Sequence, residues 1–332
     1  GGDMDHIADD AMDRGIQALK RFTQIAQGHE ARVRAVATSA VREAKNKADF
    51  LRRVREECGL EMEVIPGEEE ARMIYLGVLQ FFAQHEQRML VVDIGGGSTE
   101  FVIGQAGAPV MAKSFKLGAI RLKDRFFARE PLRGAVVEEC RQFIRERLAG
   151  LGEKISTLGY TMAVGSSGTA ETLARMQALM RNEDPDGELI LTRNGLSRVV
   201  GQILDMPTHV RRSRLPGLDE KRADIIVGGA ILLEEIFELA GIEEMHISPY
   251  ALREGVIFDT VVRESGGGGS FPDVRREAVA YLSERMLGAE TAGHRSSKHI
   301  AFLAGRILDR LMLAGLGSGH SIGEAFLLDS GV

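Results

Sequence analysis

Residues 91–104 read VVDIGGGSTEFVIG: two apolar, β-branched runs separated by an acid, three glycines, two hydroxyl residues and a second acid. Apolar runs joined by a glycine turn make a β-hairpin. Such a turn needs only one or two residues of positive φ, yet Gly95, Gly96 and Gly97 strip side chains from the whole bend. Successive unobstructed N–H groups form a concave anion site, Ser98 and Thr99 add hydroxyl donors, and phosphate is the commonest guest for such a pocket. Asp93 and Glu100 would repel a bare phosphate. They make sense if a divalent cation or an attacking water stands between them and the phosphate, because Mg²⁺ takes one or two carboxylates and keeps several waters. On spacing alone a purely structural hairpin stays open as the alternative.

The 332 residues suffice for two domains or more, each with its own core. With 44% apolar and 27% charged residues and only two cysteines, Cys58 and Cys140, a disulfide framework is not expected and a reducing compartment fits. No apolar stretch reaches the roughly 18 residues of a membrane helix, and the Asp-rich first twenty residues are unlike a signal peptide. The expectation is a soluble, cytoplasmic protein without a membrane partner. A net charge of −6 argues against a nucleic-acid partner, whose binding domain would normally be basic. A polyanionic substrate then needs a local basic cleft. Arg42, Arg72, Arg253 and the run RRSRLPGLDEKR at 211–222 are candidates, although that run alone reads as a solvated loop and helix start.

Helix and strand patterns alternate along the chain. Met12, Ile16, Leu19, Phe22 and Ile25 recur with helical period. VRAVAT at 33–38 reads as a short buried strand, 46–59 as a helix ending at glycine, and MEVI at 62–65 as a strand. A helix from near Glu68, strands at 88–94, 99–104 and 109–116, helices near 118–128 and 134–150, and a strand TMAVGS running into the helix GTAETLARMQALM follow. Residues 217–241 read as one long apolar helix, 245–248 as a strand, and a last helix starts near Tyr250. Such alternation implies βαβ units and a partly parallel sheet. ESGGGGS at 264–270 behaves as a flexible linker, natural or engineered, and the pattern beyond it is helical.

Three further stretches carry candidate chemistry. VIPGEEEARMIYLG at 64–77 sets Glu68, Glu69 and Glu70 after a Pro-Gly turn. Acids in a first helical turn offset the helix dipole, and in isolation that explanation wins. Three carboxylates exceed what a cap needs, and one of them could take a proton from water. ATSAVREAKN at 37–46 places Arg42 where its guanidinium could grip a phosphate bidentately, with a plain surface arginine as the alternative. VGSSGTAETLA at 164–174 repeats the glycine-hydroxyl theme ahead of a helix, either an anion site or a tight turn.

Together DIGGGSTE (93–100), GEEEAR (67–72), ATSAVREAKN (37–46), GSSGTAETLA (165–174) and ISPYALREGVI (247–257) resemble the exopolyphosphatase/guanosine pentaphosphate phosphohydrolase family of the actin-like phosphatase superfamily, in that family's order and over most of residues 1–262. The resemblance implies an α/β, actin-like (ribonuclease H-like) two-lobed fold with a C-terminal all-helical extension. It implies that Glu70 is the general base and that Asp93 and Glu100 help to hold Mg²⁺ and position water. Gly95, Gly96, Gly97, Ser98, Thr99 and Arg42 would then bind phosphate, while Gly165, Ser166, Gly168 and Thr169 face the cleft and bind phosphate or shape it. Two departures stand out. The family's first phosphate loop, Asp-x-Gly-Ser-Asn-Ser, has no match in GGDMDHIADDAMDRG. Near the other end, where a Leu-Leu-His-Asp sequence would be expected, Leu328 precedes Asp329, so a second metal site is not expected and both His294 and Asp329 read as structural.

The expected organisation is a first lobe over 1–74 lacking its N-terminal strands, a second lobe over 75–262, a Gly/Ser linker at 263–270 and an incomplete helical extension at 271–332. Without those strands VRAVAT should lack hydrogen-bonding partners and apolar surface should be exposed. The expected activity is Mg²⁺-dependent release of terminal phosphate from inorganic polyphosphate or guanosine pentaphosphate, the latter substrate linking it to the stringent response. An actin-like ATPase or kinase, or a non-catalytic alarmone or polyphosphate sensor, is the competing expectation. A homodimer is left open.

Overall fold

The computed structural model describes residues 5–82 and 86–264. Residues 1–256 form one compact unit and 257–332 a second, whose described part is only the end of the last helix.

The first part of the chain holds a two-stranded parallel sheet. α1 (Asp9–Gly28) leads to β1 (Ala35–Ala37), then α2 (Ser39–Glu43), α3 (Lys47–Cys58) and β2 (Met62–Val64). β1 pairs with β2 from Ala35–Met62 to Ala37–Val64, so the expectation that this strand would have no partner is wrong: the returning chain supplies one. Met12 and Ile16 of α1 pack with Phe50 and Val54 of α3, whereas Phe22 and Ile25, on the same helical period, are exposed. α3 ends where Gly59 adopts φ 66°, the left-handed cap that favours glycine.

The remainder is a six-stranded mixed sheet between helices. α4 (Gly67–Leu79) precedes β3 (Met89–Ile94), β4 (Thr99–Gln105) and β5 (Ala108–Phe115). α5 (Ala119–Phe126), α6 (Gly134–Arg147), α7 (Leu151–Leu158), β6 (Met162–Gly165) and α8 (Gly168–Met180) follow. Then come β7 (Ile190–Thr192), α9 (Arg193–Asp205), α10 (His209–Arg212), α11 (Ile226–Ala240), β8 (Glu244–Ile247) and α12 (Leu252–Glu264). The strand order is β5-β4-β3-β6-β8-β7. An antiparallel meander of β3, β4 and β5 continues through parallel β6 and β8, the ribonuclease H-like arrangement of an actin-like lobe, with β7 added antiparallel at the edge. The central strands are buried on both faces, so β3 and β4 read as apolar runs, not alternating patterns.

The 217–241 stretch is not one helix. Asp219 caps a single 3₁₀ turn through its own side chain, and α11 begins only at Ile226. Arg212, in the run read either as part of a basic cleft or as a solvated loop, is instead 2% exposed and holds Met206 O, Ala223 O and Glu130. No helix among the described residues is long and apolar enough to cross a membrane. Most of the linker, and with it the helical extension, His294 and Asp329, lies outside the described residues.

Candidate active site

The glycine turn sits at the tip of the β3–β4 hairpin, closed by Gly95 N–H donating to Ser98 O at 2.9 Å. None of its three glycines lies at positive φ. At Gly96 the requirement comes from outside the loop. A Cβ on Gly96 would stand 2.8 Å from Ile120 Cδ1, and one on Gly118 would stand 2.4 Å from Gly96 O. The N-terminus of α5 therefore docks directly on the loop. Ala119 N–H donates to Gly95 O at 2.9 Å, Ile120 and Arg121 N–H donate to Gly96 O at 3.0 and 3.1 Å, and Arg121 Nε donates to Gly97 O at 2.9 Å. In a planar trans peptide C=O and N–H point in opposite directions. Holding three successive carbonyls toward α5 thus turns the amides of Gly96, Gly97 and Ser98 the other way, where they donate to no protein group among the described residues.

Beside this loop stand the carboxylates. Asp93 and Glu100 are directly opposite each other across β3 and β4, the register that brings cross-strand side chains together on one face. Ser166 Oγ donates to Asp93 Oδ2 at 2.9 Å and Ser114 Oγ donates to Glu100 Oε1 at 2.7 Å. Burial, with the charge of Glu70 added, pushes Asp93 up to about 7. Burial, then the charges of Glu70 and Asp93, push Glu100 up to about 8. Glu70 enters from the first turn of α4. That turn lies against β5 because residue 67 is glycine, where a Cβ would be 2.4 Å from Ser114 Cβ. Arg42 Nη1 donates to Glu70 Oε2 at 3.0 Å and to Ile65 O at 2.8 Å. Burial still raises the Glu70 carboxyl above its ordinary value, against the pull of Arg42.

The second glycine loop meets the first through Ser166. Its N–H donates to Val92 O at 3.0 Å and its hydroxyl to Asp93. Gly165 is fixed by packing, since a Cβ would meet Met245 Sδ at 2.7 Å. At Gly168 a Cβ would fall 2.0 Å from the Arg222 guanidinium, which lies over the start of α8. One predicted phosphate-binding hydroxyl, that of Thr99, is engaged elsewhere, and Thr169 is buried against a neighbouring helix. Thr99 is fully buried and donates to Leu117 O at 2.5 Å, and Thr169 packs against α11, where a Cβ on Gly229 would meet its Cγ2 at 2.7 Å. Arg72 pairs with Glu69, and Arg253 is exposed beside Glu254. The structure thus brings together Glu70, Arg42, Asp93, Glu100, Ser166 and the amides of the 95–98 turn.

A sequence profile of one phosphatase family matches residues 3–264, a span that contains every described residue. The chain belongs to the Ppx/GppA phosphatase family. It is 35% identical over 251 residues to a putative exopolyphosphatase of Haemophilus influenzae, covering 75% of this chain and 76% of that one. It is 36% identical over 283 residues to exopolyphosphatase 1 of Mycobacterium tuberculosis, covering 84% and 81%. An exopolyphosphatase structure from Cytophaga hutchinsonii superposes with a TM-score of 0.72 at 33% identity, covering 80% of this chain and 86% of that one. A Ppx/GppA family member from Aquifex aeolicus gives 0.65 at 29%, covering 78% and 84%.

Within this Ppx/GppA site several residues have roles that the sequence alone does not assign, Glu43 among them although it lies inside ATSAVREAKN. Ser114 bonds Glu100, Glu43 bonds Arg121, and Gly118 lets α5 reach the turn. The pair Gly228–Gly229 brings α11 against both α5 and α8: a Cβ on Gly228 would meet Leu122 Cβ at 2.8 Å. A glycine pair inside an apolar helix signals close backbone approach, and Gly118 ahead of a helix signals the same.

Proposed function

We propose that this chain is a Mg²⁺-dependent phosphohydrolase that releases terminal phosphate from inorganic polyphosphate. The observation that carries this reading is the meeting of Glu70, Asp93 and Glu100, all three with raised carboxyl pKa values, at a turn whose three amides face away from α5. The amides of Gly96, Gly97 and Ser98 bind the terminal phosphate oxygens and stabilise the charge that develops there. Glu70, oriented by Arg42, takes a proton from the attacking water, and its raised pKa brings a carboxylate nearer to the range where a general base works at neutral pH. Ser166 and Ser114 hold the Asp93 and Glu100 oxygens in place.

The donor set fits a magnesium ion. Asp93 and Glu100 offer hard oxygens side by side, and the mutual repulsion of the three carboxylates, Glu70 included, is what a divalent cation relieves. Such an ion, held by Asp93 and Glu100, would neutralise charge on the phosphate oxygens. Polyphosphate is placed first because the named relatives above 30% identity are exopolyphosphatases. Guanosine pentaphosphate presents the same terminal oxygens and is the second substrate to test.

The test is phosphate release from long-chain polyphosphate and from guanosine pentaphosphate at equal concentrations of chain ends, with and without Mg²⁺, for the parent and for Glu70→Gln. Hydrolysis should require Mg²⁺ and fall by roughly 10² or more in the variant, with substrate binding little changed. Turnover equal to the parent would remove Glu70 from the base role, and absence of hydrolysis in the parent with Mg²⁺ would sink the reading.

A further inference from the structure

We infer that Arg121 is a positioning residue for the phosphate-binding turn and that, paired with Glu43, it ties that turn to the short helix carrying Arg42. The inference rests on the proposed role of the 95–98 turn. Of the three carbonyls held toward α5, those of Gly95 and Gly96 accept from main-chain N–H groups, which any residue at 119–121 except proline would supply. The Gly97 carbonyl depends on a side chain, the Nε of Arg121 at 2.9 Å. That carbonyl belongs to the peptide whose N–H is the Ser98 amide, so Arg121 decides where one of three phosphate donors points. A charged donor on the carbonyl also polarises that peptide and strengthens its N–H as a donor.

A second nitrogen of the same guanidinium faces Glu43. Nη2 lies 3.1 Å from both carboxylate oxygens, and Ser39 Oγ at 3.0 Å and Lys116 Nζ at 3.2 Å complete the surroundings of Glu43. Burial works to raise this carboxyl, but Lys116, Ser39 and Arg121 outweigh it and hold it ionised, below its ordinary range. Glu43 follows Arg42 directly in α2. Arg42 reaches to Glu70 and Glu43 reaches to Arg121, so five residues of helix splice the proposed base to the proposed phosphate turn. The fork geometry of arginine is required, because a lysine ammonium is a point donor that cannot reproduce the Nε and Nη2 contacts together.

The experiment titrates inorganic phosphate in the presence of Mg²⁺ against ¹⁵N-labelled parent, Arg121→Ala, Arg121→Lys, Glu43→Ala and the Arg121→Ala/Glu43→Ala pair, following the Ser98 amide resonance. Steady-state hydrolysis of polyphosphate is measured in parallel. Arg121→Ala should weaken phosphate binding and lower kcat/KM by about tenfold or more, the scale of one charge-assisted hydrogen bond. Arg121→Lys should recover only part of the loss. Added guanidinium ion should restore part of the Arg121→Ala rate, and Glu43→Ala should cost little more once Arg121 is gone. Parent-like phosphate affinity and kcat/KM in Arg121→Ala would overturn the inference. So would a loss that guanidinium does not relieve and that adds fully to the loss from Glu43→Ala. A parent that binds phosphate at Ser98 but does not hydrolyse polyphosphate would refute the proposed reaction, and the Ser98 titration would still decide the role of Arg121.

Discussion

Replacing Gly118 with alanine adds one methyl group at a residue whose backbone, φ −153° and ψ 166°, is extended and open to any amino acid. The substitution therefore costs nothing in local conformation, and its whole effect comes from what the methyl meets. It would stand 2.4 Å from Gly96 O, 2.6 Å from Gly96 C and 2.7 Å from Gly97 N, all backbone atoms with no side-chain torsion to yield. Ordinary contact lies roughly 1 Å further out. Either α5 or the 95–98 turn must retreat by about that distance, and overpacking of this kind costs about 1–3 kcal/mol. In calorimetry that is a fall of several degrees in Tm for a protein of this size. Catalysis should suffer far more, because displacing a positioning group by about 1 Å costs on the order of 10²-fold in rate. The assay is phosphate release from polyphosphate under saturating Mg²⁺, at a temperature well below the variant's own Tm. Gly118→Ala should lose about 10²-fold in kcat/KM while remaining folded. A variant with the predicted fall in Tm and parent-like kcat/KM would refute the argument that docking on α5 aims the amides.

Asp93→Asn and Glu100→Gln should each raise the Mg²⁺ concentration for half-maximal rate, since each removes a hard anionic oxygen; an unchanged metal titration would return both residues to a structural role in the hairpin. Acid stability should depend on Glu130. Burial works to raise its carboxyl, but hydrogen bonds from His209 and the charge of Arg212 prevail and hold it below the ordinary value. Its contribution is therefore complete above the unfolded carboxyl pKa of about 4.3 and is lost as pH falls through the lower folded value. Melting curves across pH 3–6 should show a shallower acid limb in Glu130→Gln, and identical limbs would discard this linkage.

The hairpin and every strand of the six-stranded sheet except the edge strand β7 were legible in the sequence because each rests on local pattern, apolar runs and punctuating glycines, whereas the grouping of Glu70 with Asp93 and Glu100 was legible only through the family resemblance of the motifs. What stayed hidden depends on contacts between distant segments. Nothing near Thr99 says that Leu117 O will take its hydroxyl, and nothing in RRSRLPG says that Arg212 will be drawn inside by Met206 O and Ala223 O. The three glycines were legible as a demand for close approach, but one of the approaching groups is the protein's own α5, at Gly96. Arg121 was missed for a related reason: an arginine in the first turn of a helix looks like surface until Gly97 and Glu43 are seen on either side of it.

Gly228 and Gly229 let one helix, α11, lean on both α5, which carries the first turn, and Thr169, at the head of the second. The two loops therefore share a single keel. Neither can open without disturbing α11, whose residues from Ile226 to Leu233 are buried without exception. A local fluctuation confined to one loop is disfavoured, and the pair should exchange, soften and melt as one cooperative unit. Heat should abolish phosphate binding in step with the unfolding of that sheet and its helices, with no temperature interval in which the sheet is folded but its loops have let go.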